Sequence, residues 1–315
     1  MIATQPGTTL EGLRGSSKRR NKEAAIRALF LAAGVSAILV NVLILLSLLD
    51  GTVDFLAKLG RGPGYGALWN DTGWFPRRGL FDLKTIVMGT VVISAIAMLV
   101  ATPLGLAAAI YLSEYARPRA RRVLKPIIEM LAGIPSVVMA YFCISFISPG
   151  VVQQIFAEAG IFSMLSAGIG VGILVTPVVA AVAEDALHAV PLALREASFG
   201  LGARRPSTSL RVVFPAAISG IVAALILGLS RAVGETLVVT IAAGATGGSA
   251  FTINPLERGQ TMTAAMATLA TGSDQVRGAS TAFPSLFLVG AVLFFLTLGL
   301  NVLSERFVRR VRGRY

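Results

Sequence analysis

Residues 184–215 read EDALHAVPLALREASFGLGARRPSTSLRVVFP. This polar stretch joins two apolar runs and carries a helical segment of its own. Pro191 stands near the start of that segment, where its missing N–H costs nothing. Leu192, Leu194, Ala197, Ser198 and Leu201 supply apolar or small positions, and Arg195, Glu196, Arg204 and Arg205 supply charge. Gly200 and Gly202 weaken or end the helix. A short helix between two long apolar runs has two readings. It is an amphipathic linker lying in a membrane interface, or a knob that docks into a partner.

The runs on either side are long enough to cross a bilayer, which takes about 20 residues per helix. Six spans are read, at 26–49, 85–113, 124–148, 160–184, 214–244 and 283–304. Each must be helical, because in hydrocarbon every backbone N–H and C=O needs an internal partner. No strand-length alternation supports a β-barrel. A chain with 55% hydrophobic and 14% charged residues does not read as soluble. The expected fold class is therefore all-α integral membrane, with six transmembrane helices.

The formal net charge of +12 would suggest nucleic acid in a soluble chain. Here the basic residues sit in blocks between apolar runs, without interleaved aromatics, and membrane topology explains them better. One side holds Arg14, Lys18, Arg19, Arg20, Lys22 and Arg27, the loop residues Arg117, Arg119, Arg121, Arg122 and Lys125, then Arg195, Arg204, Arg205 and Arg211, and the terminal Arg306, Arg309, Arg310, Arg312 and Arg314. The other side holds only Lys58, Arg61, Lys84, Arg77, Arg78, Arg258 and Arg277. The imbalance of twenty against seven places both termini in the cytoplasm by the positive-inside rule. Of the outer segments, 50–84 is expected to be a loop with interfacial Trp69 and Trp74. The other, 245–282, contains a weakly apolar stretch, 261–271, too short to span and suited to a re-entrant or interfacial helix.

A single cysteine, Cys143, and a single histidine, His188, exclude an intrachain disulfide and a Cys/His metal cluster. Both read as ordinary residues, one packing and one in a loop or at a helix end. No Ser/His/Asp set suggests a catalytic site, and no cofactor is implied. No G-x-x-x-x-G-K-[ST] loop is present to cradle ATP phosphates. Gly168, Gly170 and Gly172 lie in an apolar span and suit close helix packing. Glu129 reads as interfacial and structural. Arg231 and Glu235 are different, because a span of 214–244 puts Arg231 near its centre, where a charge costs about 2.5–3.5 kcal/mol. At i and i+4 they would share one helix face. They are either a paired charge that locks packing, or a cationic site for an oxyanion with Glu235 holding and tuning the guanidinium.

The run Glu196-Ala197-Ser198-Phe199-Gly200-Leu201-Gly202-Ala203, followed by Arg211-Val212-Val213-Phe214-Pro215, resembles the EAA loop of ABC importer permeases, with Ser198 for the second alanine. Three further runs look like the phosphate-specific permeases: Pro103 to Tyr115 (PLGLAAAIYLSEY), Leu131 to Val138 (LAGIPSVV) and Ser230 to Thr236 (SRAVGET). The wording around Gly133–Val138 and Gly259–Thr263 is closer to the PstC-type subunit than to its PstA partner. The resemblance covers roughly residues 85–310. It implies the type I ABC importer permease fold with a cytoplasmic coupling helix. The chain then divides into a cytoplasmic segment 1–25, a permease domain 26–310 with its coupling loop at 184–213, and a tail 311–315. It further implies that Arg195, Glu196, Ala197, Gly200, Gly202 and Ala203 contact an ATPase, and that Arg231 and Glu235 line the path of inorganic phosphate.

The partners implied are a PstA-like second permease subunit, two ATP-binding cassette subunits that hydrolyse ATP, an extracytoplasmic phosphate-binding protein and the lipid of a bacterial plasma membrane. A permease for sulfate or molybdate stays open as an alternative. A secondary transporter also does, although no internal symmetry supports it. The topology is testable. Single cysteines at Ser207 and Gly64, in a Cys143→Ser background, should react with impermeant thiol reagents from opposite sides of the membrane, and labelling from one side would overturn the six-span arrangement.

Overall fold

The computed structural model describes residues 17–245, 247–271 and 281–312, with residues 17–20 and 307–312 described by backbone alone. Arg14, Arg277, Arg314 and most of segment 1–25 lie outside the described residues. Two compact units are distinguished, Met1–Asp50 and Gly51–Tyr315. The first contains the leading part of α1 (Ser17–Arg61), where Leu29, Phe30, Leu31 and Ile38 are exposed. An exposed apolar helix of this length is at rest in lipid rather than water.

The second unit holds the rest. α2 (Leu83–Tyr115), α4 (Ser136–Ile155), α5 (Met164–His188) and α11 (Ser285–Arg312) are long and apolar, and α1 makes a fifth such helix. A bent pair, α7 (Arg205–Ala216) and α8 (Ile218–Gly234), meets at 73° and makes a sixth span if counted as one. The short helices are α3 (Pro118–Leu131), α6 (Leu192–Gly200), α9 (Leu237–Ala242) and α10 (Met262–Ala270).

Four features depart from the sequence reading. The first helix, read as 26–49, runs from Ser17 to Arg61, because no proline or glycine pair interrupts it before Gly60-Arg61-Gly62-Pro63. The third span begins at Ser136, not at 124, because Gly133-Ile134-Pro135 ends the preceding helix. A residue before proline is pushed out of the α region. Residues 118–131 thus form α3, a separate amphipathic helix with no fully buried side chain. The fifth span stops at Gly234, and Glu235 is extended at φ −68°, ψ 130°. The outer segment 50–84 is more than a loop. Trp74–Phe75 pairs antiparallel with Leu80–Phe81, and Trp74 is buried rather than interfacial. It packs edge-on to Phe81, which meets Phe55 in the same way at 5.2 Å. The weakly apolar stretch 261–271 is the short helix α10, started by Thr261, whose hydroxyl accepts from the Ala264 N–H.

The core is built on α2 against α5. Their backbones approach closely because Gly168 and Gly172 lie one turn apart on the contact face. A Cβ on Gly172 would come 2.8 Å from the Ala97 carbonyl oxygen and 2.7 Å from the Val100 Cβ. Small residues at this spacing are how membrane helices gain dispersion contacts without a hydrophobic driving force. Cys143 is fully buried in the same core, as expected for a packing residue. Gly172→Leu should therefore lower the thermal stability of the detergent-purified protein, at an overpacking cost of about 1–3 kcal/mol. Gly299→Leu, where a side chain meets open space, should not.

Candidate functional site

The segment between α5 and α7 projects from one end of the bundle. Pro191 sets the entry to α6, and Gly202 closes its exit. Gly202 sits at φ +80°, its N–H donates to the Phe199 carbonyl at 2.9 Å, and the Ala203 N–H donates to the Ser198 carbonyl at 3.1 Å. A residue with a Cβ is strained in that conformation. Leu192 and Leu201 are 70% and 90% exposed, and Glu196, Ala197 and Gly200 are exposed beside them. This is an apolar-centred surface offered outward by a helix of fixed orientation.

Arg195 does not share that surface. Its guanidinium turns inward, donating to the Glu114 carboxylate at the end of α2 and to the Leu187 carbonyl, each at 2.9 Å, and also to the Val190 carbonyl. The two charged side chains are 13% and 9% exposed. A second tie joins the hydroxyls of Ser198 and Thr208 at 2.9 Å. Of the residues singled out in this loop, Glu196, Ala197 and Gly200 face outward, Gly202 and Ala203 shape the exit, and Arg195 anchors the helix. A cavity of about 340 Å³ lies beneath it, lined by Glu114, His188, Arg195, Phe199 and Arg205 among others.

A second ionic cluster lies close by, and the sequence reading did not single it out. Glu184, on the last turns of α5, is fully buried. It accepts from Arg121 Nε at 2.9 Å and again from Nη2, and from Lys125 Nζ at 2.7 Å. Lys125 also bonds Asp185. Arg121 Nη1 lies 3.1 Å from His188 Nε2. Arginine can only donate, so Nε2 must accept and the ring proton sits on Nδ1. His188 is therefore part of a charged network and not a bystander. The hydrogen bond to Asp185, then that to Glu184, raises the Lys125 pKa above its ordinary 10.5. A raised pKa in the folded state means the contribution of Lys125 is complete at neutral pH and fades only as pH climbs beyond about 10.5. Charge alone in the sequence could not reveal these pairs, because Arg121 and Glu184 are 63 positions apart.

Arg231 and Glu235 are close but not paired. Gly234 favours an ending, so the helix stops between them and the i, i+4 face is lost. No ion pair joins them among the described residues. Glu235 turns its carboxylate onto the first turn of α9, accepting from the Thr236 N–H at 3.2 Å and the Val238 N–H at 3.5 Å. Its freed carbonyl accepts the Thr263 hydroxyl at 2.7 Å, which joins the break to α10. Arg231 is exposed on the last turn of α8, with one long contact of 3.5 Å to the Ala132 carbonyl at the end of α3. Its guanidinium fork is otherwise open among the described residues.

Residues 101–313 match the family described as binding-protein-dependent transport system inner membrane component. The chain belongs to that family. Among similar proteins, the phosphate transport system permease protein PstC 1 of Mycobacterium tuberculosis is 31% identical over 256 residues, 75% of each chain. The probable ABC transporter permease protein YqgH of Bacillus subtilis is 34% identical over 194 residues, 62% of this chain and 59% of that one. A bacterial alginate ABC transporter, solved with its periplasmic protein bound to alginate pentasaccharide, aligns at a TM-score of 0.59 with 16% identity, covering 92% of this chain and 97% of the other. At that identity the likeness shows the fold, the type I ABC importer permease. This inner membrane component is thus a transport subunit rather than an enzyme.

For the permease, the inward turn of Arg195 has a measurable consequence. Arg195→Met strands the largely buried Glu114 carboxylate, and thermal unfolding in detergent should show a loss of about 3 kcal/mol. Replacing both, Arg195→Met with Glu114→Leu, should recover most of it.

Proposed function

We propose that this permease is the PstC-type subunit of an ATP-driven phosphate importer in a bacterial plasma membrane, with both termini cytoplasmic. A PstA-like subunit supplies the other half of the pathway. Two ATP-binding cassette subunits bind the α6 surface of each permease, and an extracytoplasmic phosphate-binding protein delivers the anion. The chain performs no covalent chemistry. ATP-driven closure pulls the coupling helices together and opens the opposite face of the pathway.

The observation that carries this reading is Arg231. It stands exposed at a break in a span, with its planar fork unclaimed by a carboxylate among the described residues, in a chain that shares 31% identity with a phosphate transport permease. The guanidinium plane presents two parallel N–H groups that match two oxygens of a phosphate. Glu235 is held off by the N–H groups of α9, so it leaves the fork free while keeping a negative charge close by. Net uptake needs a site that binds the anion and then releases it, and a nearby carboxylate limits how tightly an oxyanion can settle. The loop reading is supported by the apolar side chains that α6 and its exit leave exposed, Leu192, Leu194, Phe199 and Leu201.

Uptake into proteoliposomes holding the complete transporter tests the substrate and the residue together. Phosphate, but neither sulfate nor molybdate, should accumulate. Because Arg231 and Glu235 are not paired, Arg231→Gln should leave assembly intact and lower phosphate uptake about 10- to 100-fold, the equivalent of one lost hydrogen-bonded charge contact. Arg231→Lys should do worse than a point charge would predict, since it lacks the fork. Uptake near the parent level in the double variant Arg231→Met with Glu235→Leu, at matched expression, would remove both residues from the pathway.

A further inference from the structure

The buried carboxylate of Glu184 belongs neither to the outward surface of α6 nor to the open guanidinium of Arg231, yet it lies on the covalent and ionic route between them. On one side, α5 runs from Glu184 through Leu187 and His188 into the loop, and the Leu187 carbonyl is one of the acceptors that pin Arg195 of α6. On the other side, Glu184 receives Arg121, on the first turn of α3, and Lys125, at its middle. α3 has 14 residues and so is about 21 Å long. Just past its far end is Ala132, whose carbonyl faces Arg231.

The manner of attachment matters. No side chain of α3 is fully buried, and Leu124 and Ile128 are only half-buried, so apolar packing seats this helix weakly. Exposed Val123, Ile127 and Met130 leave its other face free. What fastens it to α5 is the Glu184 cluster, in which one buried carboxylate takes three hydrogen bonds from two cations of α3, with Asp185 and His188 as further partners of Lys125 and Arg121. A desolvated charge is costly to strand, so this contact does not slide as an apolar contact can. A helix fastened at its first turn and its middle, with a contact to Arg231 just past its far end, moves as a unit with whatever moves its anchor.

We propose that Glu184 is a positioning residue of the coupling apparatus: through Arg121 and Lys125 it fastens α3 to the end of α5 that carries the loop, so that displacement of the loop reaches the Ala132 carbonyl facing Arg231. This rests on the reading of α6 as the element that docks the ATPase. Glu184 touches neither ATPase nor anion, and it acts by keeping two helices in register. The element it positions is α3, bounded by the helix break at Gly133–Pro135 and by Arg117 at its start.

The complete transporter in proteoliposomes tests this by phosphate uptake per ATP hydrolysed, with assembly checked by co-purification. Glu184→Gln keeps the shape and removes the charge. It should retain ATP hydrolysis while uptake per ATP falls about tenfold, within the usual range of coupling between sites. Glu184→Asp should recover part of the ratio. Against loss of folding as the cause, Glu184→Cys with Lys125→Cys in a Cys143→Ser background replaces the ionic fastening by a short bis-methanethiosulfonate linker. Linking should restore the ratio, and reduction of the linker should abolish it again. A parental ratio in Glu184→Gln overturns the proposal, and so does a linked double variant that stays uncoupled. Glu196→Lys, on the outward face of α6, separates the two levels. If it uncouples while Glu184→Gln does not, only the role of Glu184 falls. If Glu196→Lys leaves both uptake and ATPase binding unchanged, the docking reading of α6 falls.

Discussion

In hydrocarbon a backbone carbonyl or N–H without a partner costs several kcal/mol, and the whole architecture depends on that constraint. Long helices satisfy it by themselves, so α2, α4, α5 and α11 need only apolar surfaces. The interruptions are where the fold must provide partners. At Glu235 the freed carbonyl is taken by the Thr263 hydroxyl, while the Glu235 carboxylate caps the restarting helix α9. The Met262 N–H finds the Thr90 hydroxyl of α2 at 3.0 Å. Prolines inside or beside spans are absorbed by wide turns, as at Cys143–Val152 around Pro149 and Ser209–Val213 before Pro215.

With the backbone provided for, the contacts between helices are left to shape and charge. Glycines at 168 and 172 bring α5 onto α2 through dispersion, which carries no directional information and tolerates no added bulk. At the loop end the contacts are ionic. Glu114 with Arg195, and Glu184 with Arg121 and Lys125, fix helix orientations through hydrogen bonds whose geometry is specific. The division is physical: tight apolar packing makes a stable centre, and charged contacts at the periphery fix how the neighbouring elements are oriented. Arg231 stands apart from these pairs, a guanidinium exposed beside a helix break with one long contact to the Ala132 carbonyl.

The amino-acid sequence by itself determined the class of molecule. Spans, the side bearing most basic residues, the short helix after Pro191 and its glycine exit are all local properties, encoded in hydropathy, charge counts and the conformational limits of proline and glycine. The close packing at Gly168 and Gly172 was legible for the same reason. Tertiary structure alone decided the rest, because it concerns groups far apart in the chain or nearly balanced preferences. Whether the span ran on from Arg231 to Glu235 depended on Thr263, 28 residues later, whose hydroxyl donates to the freed Glu235 carbonyl. Whether Trp74 lay at a membrane interface or in a core depended on Phe81 and Phe55 being there to cover it. Arg195 read as one of the loop's ATPase-contacting residues, and it is Glu114, 81 positions away, that holds it inward. Glu184 carried no local signal at all. A buried carboxylate becomes favourable only when its cations arrive from another helix, and no pattern within one helix records that arrival.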